Sequence, residues 1–222
     1  TYGTLAITAA GNWTYTAANG QAAIQGLGAG DSLTDSFTIT SADGTSQTVT
    51  VTITGVNDSA VIGGDAAGSV TEDASSPTLV DTGALTITDS DAGEALFTAG
   101  SLAGTYGTLA ITAAGNWTYT AANNQAAIQG LGAGDSLTDS FTVTSADGTT
   151  HVVAVTITGV NDSAVIGGDA AGSVTEDATS PNLVDTGALT ITDADAGEAL
   201  FTAGALAGTY GTLTIDATGN WT

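Results

Sequence analysis

The chain has 222 residues and combines 23 acidic residues with one His and no Lys or Arg, which gives a formal charge of −23 at neutral pH. Because nucleic acids and anionic lipids are bound mainly through Lys and Arg, this composition excludes both as partners. The sequence has no Cys and no apolar run of about 20 residues, so we expect neither a disulfide framework nor direct insertion into a membrane.

Hydrophobic residues make up 42% of the chain, and they are arranged in a long repeat. The segment TYGTLAITAAGNWTYTAAN begins at Thr1 and again at Thr105, and TYGTL returns at Thr209, so the period is 105 − 1 = 104 residues. A period of this length indicates a whole domain and matches an immunoglobulin-like β-sandwich. Cutting the chain at its GVND linkers predicts the C-terminal part of a repeat at 1–58, a complete repeat at 59–162 and the N-terminal part of a repeat at 163–222. We expect neither part to bury a full core alone.

Within the complete repeat, short runs rich in Thr and Val are separated by Gly, Asp and Asn, a pattern typical of strands and turns. In chain order the pattern predicts strand A at 60–62 and 68–72, B at 84–89, C at 95–99, D at 108–113, E at 116–120, a helical turn at 124–129, F at 137–145 and G at 150–159. In strand G, Val153, Val155 and Ile157 alternate with smaller or polar residues, so we expect them on the buried face. The predicted fold class is all-β, with tandem seven-stranded β-sandwiches arranged end to end.

Most of the acidic residues recur at the same places in each repeat. If strand A runs away from the linker, the B–C and F–G loops lie at the linker end of the sandwich and the E–F loop lies at the opposite end. Each junction between repeats should therefore gather side chains from the linker, from the loops of the following repeat and from the far end of the preceding repeat. The candidates at the first junction are Asp31, Asp35, Asn57, Asp58, Asp89, Asp91, Glu94 and Asp147, and those at the second are Glu72, Asp73, Asp135, Asp139, Asn161, Asp162, Asp193, Asp195 and Glu198.

Clustered carboxylates in this chain need a positive charge from solution, because the sequence provides no Lys or Arg to pair with them. Two carboxylates about 4 Å apart at a protein surface repel each other by roughly 4 kcal/mol. A site with six or more oxygen ligands and no nitrogen or sulfur is typical of Ca²⁺, and the D-x-D spacing of Asp89 and Asp91 places two carboxylates on one side of a loop. The sequence therefore predicts Ca²⁺ as the cofactor at each junction.

Several motifs of the repeat resemble those of a known family. GVNDSA, SVTEDAS, GALTITDSDAGE, YGTLAITAAGNWTYTAAN and LTDSFTVTSADGTT are similar to the VCBS-type repeats of bacterial surface adhesins of the RTX class, and the resemblance covers essentially the whole chain. It implies an immunoglobulin- or cadherin-like fold, export by a type I secretion system, calcium binding outside the cell, and a role in adhesion, biofilm or extender arms. The calcium motifs of cadherins are also similar in placement to Asn57, Asp58, Glu72, Asp89, Asp91 and Asp147.

The expected function follows from repetition, since no catalytic motif is apparent. The single His151 is replaced by Gln47 one repeat earlier, so we expect no enzyme activity. The first interpretation is an extracellular structural or adhesive stalk, secreted or at the bacterial cell surface, whose partners are the neighbouring repeats. Two alternatives stay open: a self-assembling filament in which identical chains complete each other by exchanging strands, and a multivalent module that binds a host or bacterial cell-surface glycan or protein.

Overall fold

The computed structural model describes residues 1–179 and 181–222, and within them the regular structure is β-strand apart from two one-turn helices. The all-β prediction is therefore confirmed. Neither of the two described helices is long and apolar enough to cross a membrane.

The strands follow the repeat of the sequence. The N-terminal part contains β1 (Gly3–Ile7), β2 (Trp13–Ala17), α1 (Ala22–Gln25), β3 (Ser32–Thr40) and β4 (Ser46–Thr54). The central repeat contains β5 (Val61–Gly64), β6 (Ala67–Thr71), β7 (Thr78–Thr88), β8 (Gly100–Ala103), β9 (Gly107–Ile111), β10 (Asn116–Ala122), α2 (Ala126–Gln129), β11 (Ser136–Thr144) and β12 (Thr150–Thr158). The C-terminal part contains β13 (Val165–Gly168), β14 (Gly187–Thr192), β15 (Gly204–Ala207), β16 (Thr212–Ile215) and β17 (Asn220–Trp221).

The central repeat is made of two sheets that enclose one hydrophobic core. One sheet has the order β5-β7-β10-β9-β8, and the other has the order β11-β12-β6. Neighbouring strands are antiparallel except for β6 and β12, which are parallel. The first strand of the repeat is therefore split, because β5 pairs with β7 in one sheet and the chain then crosses to pair with β12 in the other.

Both sheets contribute to the core. In β12, Val153, Val155 and Ile157 are each 0% exposed, which confirms the alternation predicted for strand G. Trp117 of β10 is 1% exposed. Its indole N–H donates a hydrogen bond of 2.8 Å to the backbone oxygen of Asp65. Because Asp65 lies between β5 and β6, the buried tryptophan also fixes the point at which the chain crosses from one sheet to the other.

The predicted position of strand C, at 95–99, is wrong. Only an isolated β-bridge forms there, at Phe97, and β8 begins at Gly100 and pairs with β9. The backbone of this segment bonds to the turn after β9 and to the end of β11, since the Phe97 N–H donates to the oxygen of Ala113 at 3.0 Å and the next N–H donates to the oxygen of Thr144 at 2.8 Å. A segment that bridges two sheets in this way cannot extend along either of them.

The other predicted elements of the central repeat correspond to elements of the structure, with shifted ends. Strand B, predicted at 84–89, is the longer β7, because its first residues pair with the end of β10. The helical turn predicted at 124–129 is confirmed as α2.

The two partial repeats contain strands but expose residues that the central repeat buries. Trp13 is 48% exposed, whereas Trp117 at the equivalent position is 1% exposed. Residues 171–175 have the same sequence as β6, AGSVT, but form no strand. In the described residues no counterpart of β12 lies beside them, so the ladder partner that β6 has is missing. These differences agree with the expectation that neither part buries a full core alone.

Candidate metal centre at the junctions between repeats

The first junction joins the linker after β4 to two loops of the central repeat. The backbone N–H of Asp58 donates to Oδ2 of Asp91, in the loop between β7 and β8, at 2.8 Å. The N–H of Ala60 donates to Oδ2 of Asp147, in the loop between β11 and β12, at 3.0 Å. Both loops therefore face the linker, as the order of the strands predicts.

The second junction has the same arrangement one repeat later. The N–H of Asp162 donates to Oδ2 of Asp195 at 2.8 Å. Here the preceding repeat adds Glu72, which directly follows β6 and whose Oε1 accepts a hydrogen bond of 2.7 Å from the N–H of Val160. The Glu72 carboxylate thus holds the end of β6 to the beginning of the linker.

Adjacent repeats are in direct contact through the loop that follows each short helix. The N–H of Ala92 donates to the oxygen of Gly26, and the N–H of Ala196 donates to the oxygen of Gly130, both at 3.1 Å. A Cβ atom on Gly132 would lie 2.8 Å from Oε1 of Glu198, so the glutamate side chain approaches the backbone of the preceding repeat closely. The position of Glu94 against Gly28 is equivalent at the first junction.

Four buried carboxylate oxygens at the junctions have no hydrogen-bond partner. In the described residues no other buried side-chain nitrogen or oxygen is left in this state, and the four are Glu72 Oε2, Asp89 Oδ2, Asp91 Oδ1 and Asp195 Oδ1. In each of these side chains the other oxygen accepts a backbone N–H at 2.7 to 2.9 Å. A buried polar atom without a partner costs about 1–3 kcal/mol, and more when the group is charged. Each carboxylate is therefore held through one oxygen, and its other oxygen is buried without a hydrogen-bond donor.

The carboxylates at each junction repel one another, and this repulsion raises some of their pKa values. Burial raises the pKa of Glu72, and neighbouring carboxylates raise it further, against the lowering effect of the hydrogen bond from Val160. Burial and the carboxylates around it likewise raise the pKa of Glu94 at the first junction and of Asp162 at the second. A raised pKa means that the charged form is disfavoured, so a positive charge at either junction would be stabilising.

The donor set fits a hard cation. Ca²⁺ accepts six to eight oxygens from carboxylates, amides, backbone carbonyls and water, whereas softer metals prefer nitrogen or sulfur. The Nδ2 groups of Asn57 and Asn161 donate to the backbone oxygen of the next residue, which leaves each amide oxygen as an acceptor. In the part of the chain that the structure describes, no three His, Cys, Asp or Glu side chains form a metal cluster by themselves. Carboxylates alone therefore do not make a site in this arrangement, and an ion would also need amide oxygens, backbone carbonyls or water as ligands.

One segment of the chain is similar to a known family. Residues 57–159 match the family model described as a bacterial cadherin-like domain. The match covers just under half of the chain and coincides with the central repeat and the linker before it. No curated protein matches the sequence.

Solved structures of cadherins and of one bacterial adhesin are also similar to the chain. The protocadherin GammaB4 extracellular domain is 14% identical with a TM-score of 0.45, and the alignment covers 99% of this chain and 35% of that one. PcdhgB3 EC1-4 is 13% identical with a TM-score of 0.44 and coverages of 98% and 55%. A Ca²⁺-stabilized adhesin that helps an Antarctic bacterium reach out and bind ice is 18% identical with a TM-score of 0.28 and coverages of 97% and 52%. This chain therefore spans between about a third and just over half of the length of the structures it matches.

Two predicted ligands, one in the central repeat and one in its N-terminal neighbour, have carboxylates that accept hydrogen bonds within the repeat. The Asp139 carboxylate, 1% exposed, accepts hydrogen bonds from the Thr105 N–H at 2.7 Å, from the Gly107 N–H at 2.7 Å and from the Tyr119 hydroxyl at 2.9 Å. Asp35 makes equivalent bonds in the N-terminal part. The structure does not bring these two carboxylates to the unpartnered oxygens, because the turn before β1 or β9 already occupies them.

Three further predicted residues lie beside the junctions, and one of them has an engaged carboxylate oxygen. Asp73 has a φ of 58°, and its Oδ1 accepts hydrogen bonds from Asn123 at 2.8 Å and Gln129 at 3.1 Å. Asp31 and Asp135 contribute their backbone oxygens, which accept the N–H groups of linker glycines at 2.9 and 3.0 Å respectively.

Asp147 is the most strongly bonded of the predicted ligands. Its two oxygens accept hydrogen bonds from the Ser145 hydroxyl, from the N–H and hydroxyl of Thr149, and from the Ala60 N–H. The Ser145 and Thr149 bonds hold the pKa of Asp147 far below its usual range. Asp147 therefore stays negative and adds to the charge at Glu94.

Sequence reasoning missed the residues that position the site. A Cβ atom on Gly159 would clash with the backbone oxygens of Leu131 and Gly132, so the linker can reach the preceding loop only because glycine stands there. Asn123 is 6% exposed, and its Oδ1 accepts the Asp73 N–H at 3.1 Å. The signal for the glycine was present, since Gly55 occupies the same place one repeat earlier.

Proposed function

We propose that the repeats form an extracellular stalk, structural or adhesive, on a bacterial surface, and that Ca²⁺ bound at each junction makes the string of repeats stiff. The observation that carries this proposal is the set of four buried carboxylate oxygens without a partner, all of which belong to junction residues. A chain without Lys or Arg has no side-chain cation with which to neutralise them. A divalent cation from outside the cell provides that charge.

The residues that would hold the ion come from both sides of each junction. At the first junction they are Asn57, Asp58, Asp89, Asp91 and Glu94, with Asp147 adding negative charge beside them, and at the second they are Glu72, Asn161, Asp162, Asp193, Asp195 and Glu198. When bound, Ca²⁺ supplies positive charge that offsets the repulsion among these carboxylates. The chain itself positions the ligands through backbone N–H groups of the linker. With the ion removed, the Ala92–Gly26 contact and its equivalent stay as hinges around which the repeats bend.

Several features support an extracellular and non-enzymatic role. The match of residues 57–159 to the bacterial cadherin-like domain favours an adhesive or structural module at the cell surface. Neighbouring repeats are the proposed partners at each junction. Membership of the VCBS-type and RTX classes, export by a type I system and a role in biofilm are predictions from the sequence, as is the binding of a surface glycan or protein.

Small-angle scattering with calcium and with chelator tests the proposal. We expect calcium to lengthen the particle and narrow its distribution of shapes, with dissociation constants on the order of 10⁻⁴–10⁻³ M by calorimetry. Asp195→Asn removes a charge from the second junction and should lower the number of bound ions. Asp177→Asn is the matched control, because Asp177 is exposed and Asn tolerates its positive φ of 61°. Identical scattering profiles in calcium and chelator would rule the proposal out.

A further inference from the structure

The turn between β2 and α1 contains the only Asn-Gly dipeptide of the sequence, Asn19-Gly20. Both residues are exposed. In the described residues neither the Asn19 side-chain amide nor the Gly20 N–H makes a hydrogen bond, whereas the backbone oxygen of Asn19 accepts one from Gln25 at 3.1 Å. The side-chain carbon of Asn19 and the backbone nitrogen of Gly20 are therefore not held apart by other partners.

The residue at position 20 makes a close approach between these two atoms possible. Glycine has no Cβ and adopts a wider range of backbone conformations than any other residue, including those that bring its nitrogen against the preceding side chain. A Cβ atom built on Gly20 would have no heavy atom within 4 Å. Alanine therefore fits this turn without a clash, so the effect of the missing side chain can be tested without disturbing the fold.

The equivalent asparagine of the central repeat is in a protected position. Asn123 is 6% exposed, its Oδ1 accepts the Asp73 N–H at 3.1 Å, and its Nδ2 donates to Oδ1 of Asp73 at 2.8 Å. Its own N–H donates to the oxygen of Pro77 at 3.0 Å. The residue that follows it is Asn124 and not glycine. The two repeats thus differ at this position both in the bonding of the amide and in the next residue.

Position 19 lies at the first junction. A cavity of about 340 Å³ is lined by Asn19 together with Gly55 of the linker and Asp58, one of the proposed ligands. At the second junction the equivalent Asn123 holds Asp73, whose charge raises the pKa values of the junction carboxylates. A carboxylate at position 19 would therefore add negative charge beside the candidate metal centre.

We propose that Asn19 is a site of spontaneous deamidation through ring closure by the Gly20 nitrogen, and that the product adds a carboxylate to the first junction, a consequence that rests on the proposed function. The Gly20 nitrogen loses its proton and bonds to Cγ of Asn19, while the Cγ–Nδ2 bond breaks and ammonia leaves with that proton. One water molecule then opens the resulting succinimide at either carbonyl carbon. The products are an aspartate at position 19 and an isoaspartate, in which the main chain continues through the side-chain carbon.

Mass spectrometry of the full chain, incubated in mildly alkaline buffer with chelator, tests the reaction. A protease that cuts before Asp releases residues 1–30, since Asp31 is the first acidic residue and the sequence has no Lys or Arg for trypsin. The aspartate product should be cut again before position 19. The isoaspartate product should leave residues 1–30 whole and heavier by the difference between an OH and an NH₂ group. An unmodified Asn19, or aspartate without isoaspartate, would overturn the proposal, because direct hydrolysis of the amide forms no isoaspartate.

Two variants separate the parts played by the next residue and by the fold. Gly20→Ala should lower the rate at position 19 at least about fivefold, which corresponds to about 1 kcal/mol of barrier, and a rate equal to that of the wild type would refute ring closure by this nitrogen. Asn124→Gly is the matched control, because it places the same dipeptide where the amide is buried and bonded. In the folded chain Asn123 of this variant should react more slowly than Asn19, and in concentrated urea the two should react alike. Equal rates in the folded chain would show that the structure does not select Asn19.

Asn19→Asp carries the charge of one product and tests its effect on the junction. Asp195→Asn, which impairs the second junction, provides the background in which calorimetry measures the first. There Asn19→Asp should lower the dissociation constant for calcium about twofold to fivefold at low salt, because a further negative charge attracts the ion. An unchanged constant would refute this effect. If no calcium binds to any of these chains, the proposed function fails, whereas deamidation is decided by the masses measured in chelator.

Discussion

Glu72→Gln should make the protein more stable than the wild type in chelator and less stable than the wild type in calcium. Glu72 is 1% exposed, and one of its oxygens has no partner. Glutamine keeps the size of the side chain and an oxygen that accepts the Val160 N–H, and it removes one negative charge. Without calcium that charge is repelled by its neighbours, so the variant should be more stable than the wild type. With calcium the same charge binds the ion, so calcium should stabilise the variant less than it stabilises the wild type.

The two effects are of similar size. Unit charges about 8 Å apart repel by roughly 2 kcal/mol at an effective dielectric constant of 20, and salt and solvent reduce this to about 1 kcal/mol in favour of the variant in chelator. For a dissociation constant of about 10⁻⁴–10⁻³ M, about 10 mM calcium stabilises the folded chain by about 1.4–2.7 kcal/mol per site. Calcium should raise the free energy of unfolding of the variant by this amount less than that of the wild type. The reason is that the variant loses calcium binding at the second junction and keeps it at the first.

Urea unfolding measures both quantities when it is followed by the fluorescence of Trp117, which is buried in the central repeat, in a chain whose Trp13 and Trp221 are replaced by Phe. Glu176→Gln is the matched control, because Glu176 holds the equivalent position one repeat later and is exposed. We expect the control to follow the wild type in both buffers. An equal calcium-induced gain in Glu72→Gln and the wild type would refute the assignment of Glu72 as a ligand. A loss of stability in chelator would refute the argument from repulsion.

Three further outcomes are expected. In chelator the thermal stability should rise as the pH is lowered from 7 toward 5, because the pKa values of Glu72, Glu94 and Asp162 are raised in the folded protein, which therefore binds protons more tightly than the unfolded chain. A melting temperature that stays constant or falls over this pH range would contradict this. Asp139→Asn should lower the free energy of unfolding by about 2–4 kcal/mol, equally with and without calcium, because the hydrogen bonds of Asp139 lie within the repeat. If urea titrations show a larger decrease in calcium than in chelator, Asp139 is a calcium ligand. Gly159→Ala should lower the free energy of unfolding by about 1–3 kcal/mol and broaden the distribution of shapes measured by small-angle scattering in calcium, because the added methyl group clashes with the preceding loop. An unchanged scattering profile would mean that the linker does not need this close approach.

The sequence was sufficient for the features that depend on period and alternation. The repeat of 104 residues, read as 105 − 1, predicted where equivalent residues would fall, and alternation in strand G predicted the buried faces of Val153, Val155 and Ile157. The position of strand C was not predictable in the same way. Phe97 has the pattern of a strand residue, but its backbone bonds to the turn after β9 and forms a bridge with Ser145, just after β11. Such bridging depends on contacts with segments far along the chain.

The candidate site was predictable as a set of residues but not as a division of roles. Asp91 and Asp139 look alike in the sequence, since each lies near a strand end and within an acidic motif. Asp139 is satisfied by N–H groups of a turn that lies 32 to 34 residues earlier in the chain. Asp91 receives one N–H from the linker and keeps a buried oxygen free. Local sequence does not encode which backbone donors converge on a carboxylate, so this distinction needs the fold.

The absence of Lys and Arg makes that distinction unusually informative. A buried carboxylate with a free oxygen could pair with a Lys or Arg side chain, but this sequence contains neither. Apart from the single His151 and the N-terminal ammonium group beside Asp35, its carboxylates are left with backbone N–H groups, hydroxyls and amides, or an ion from solution. Asp139 and Asp147 use the first two kinds of donor on both oxygens, whereas Glu72, Asp89, Asp91 and Asp195 each retain one buried oxygen. All four of these residues lie where one repeat meets the next. The carboxylate oxygens that a cation would stabilise are therefore at the junctions, where a bound ion would limit bending between repeats.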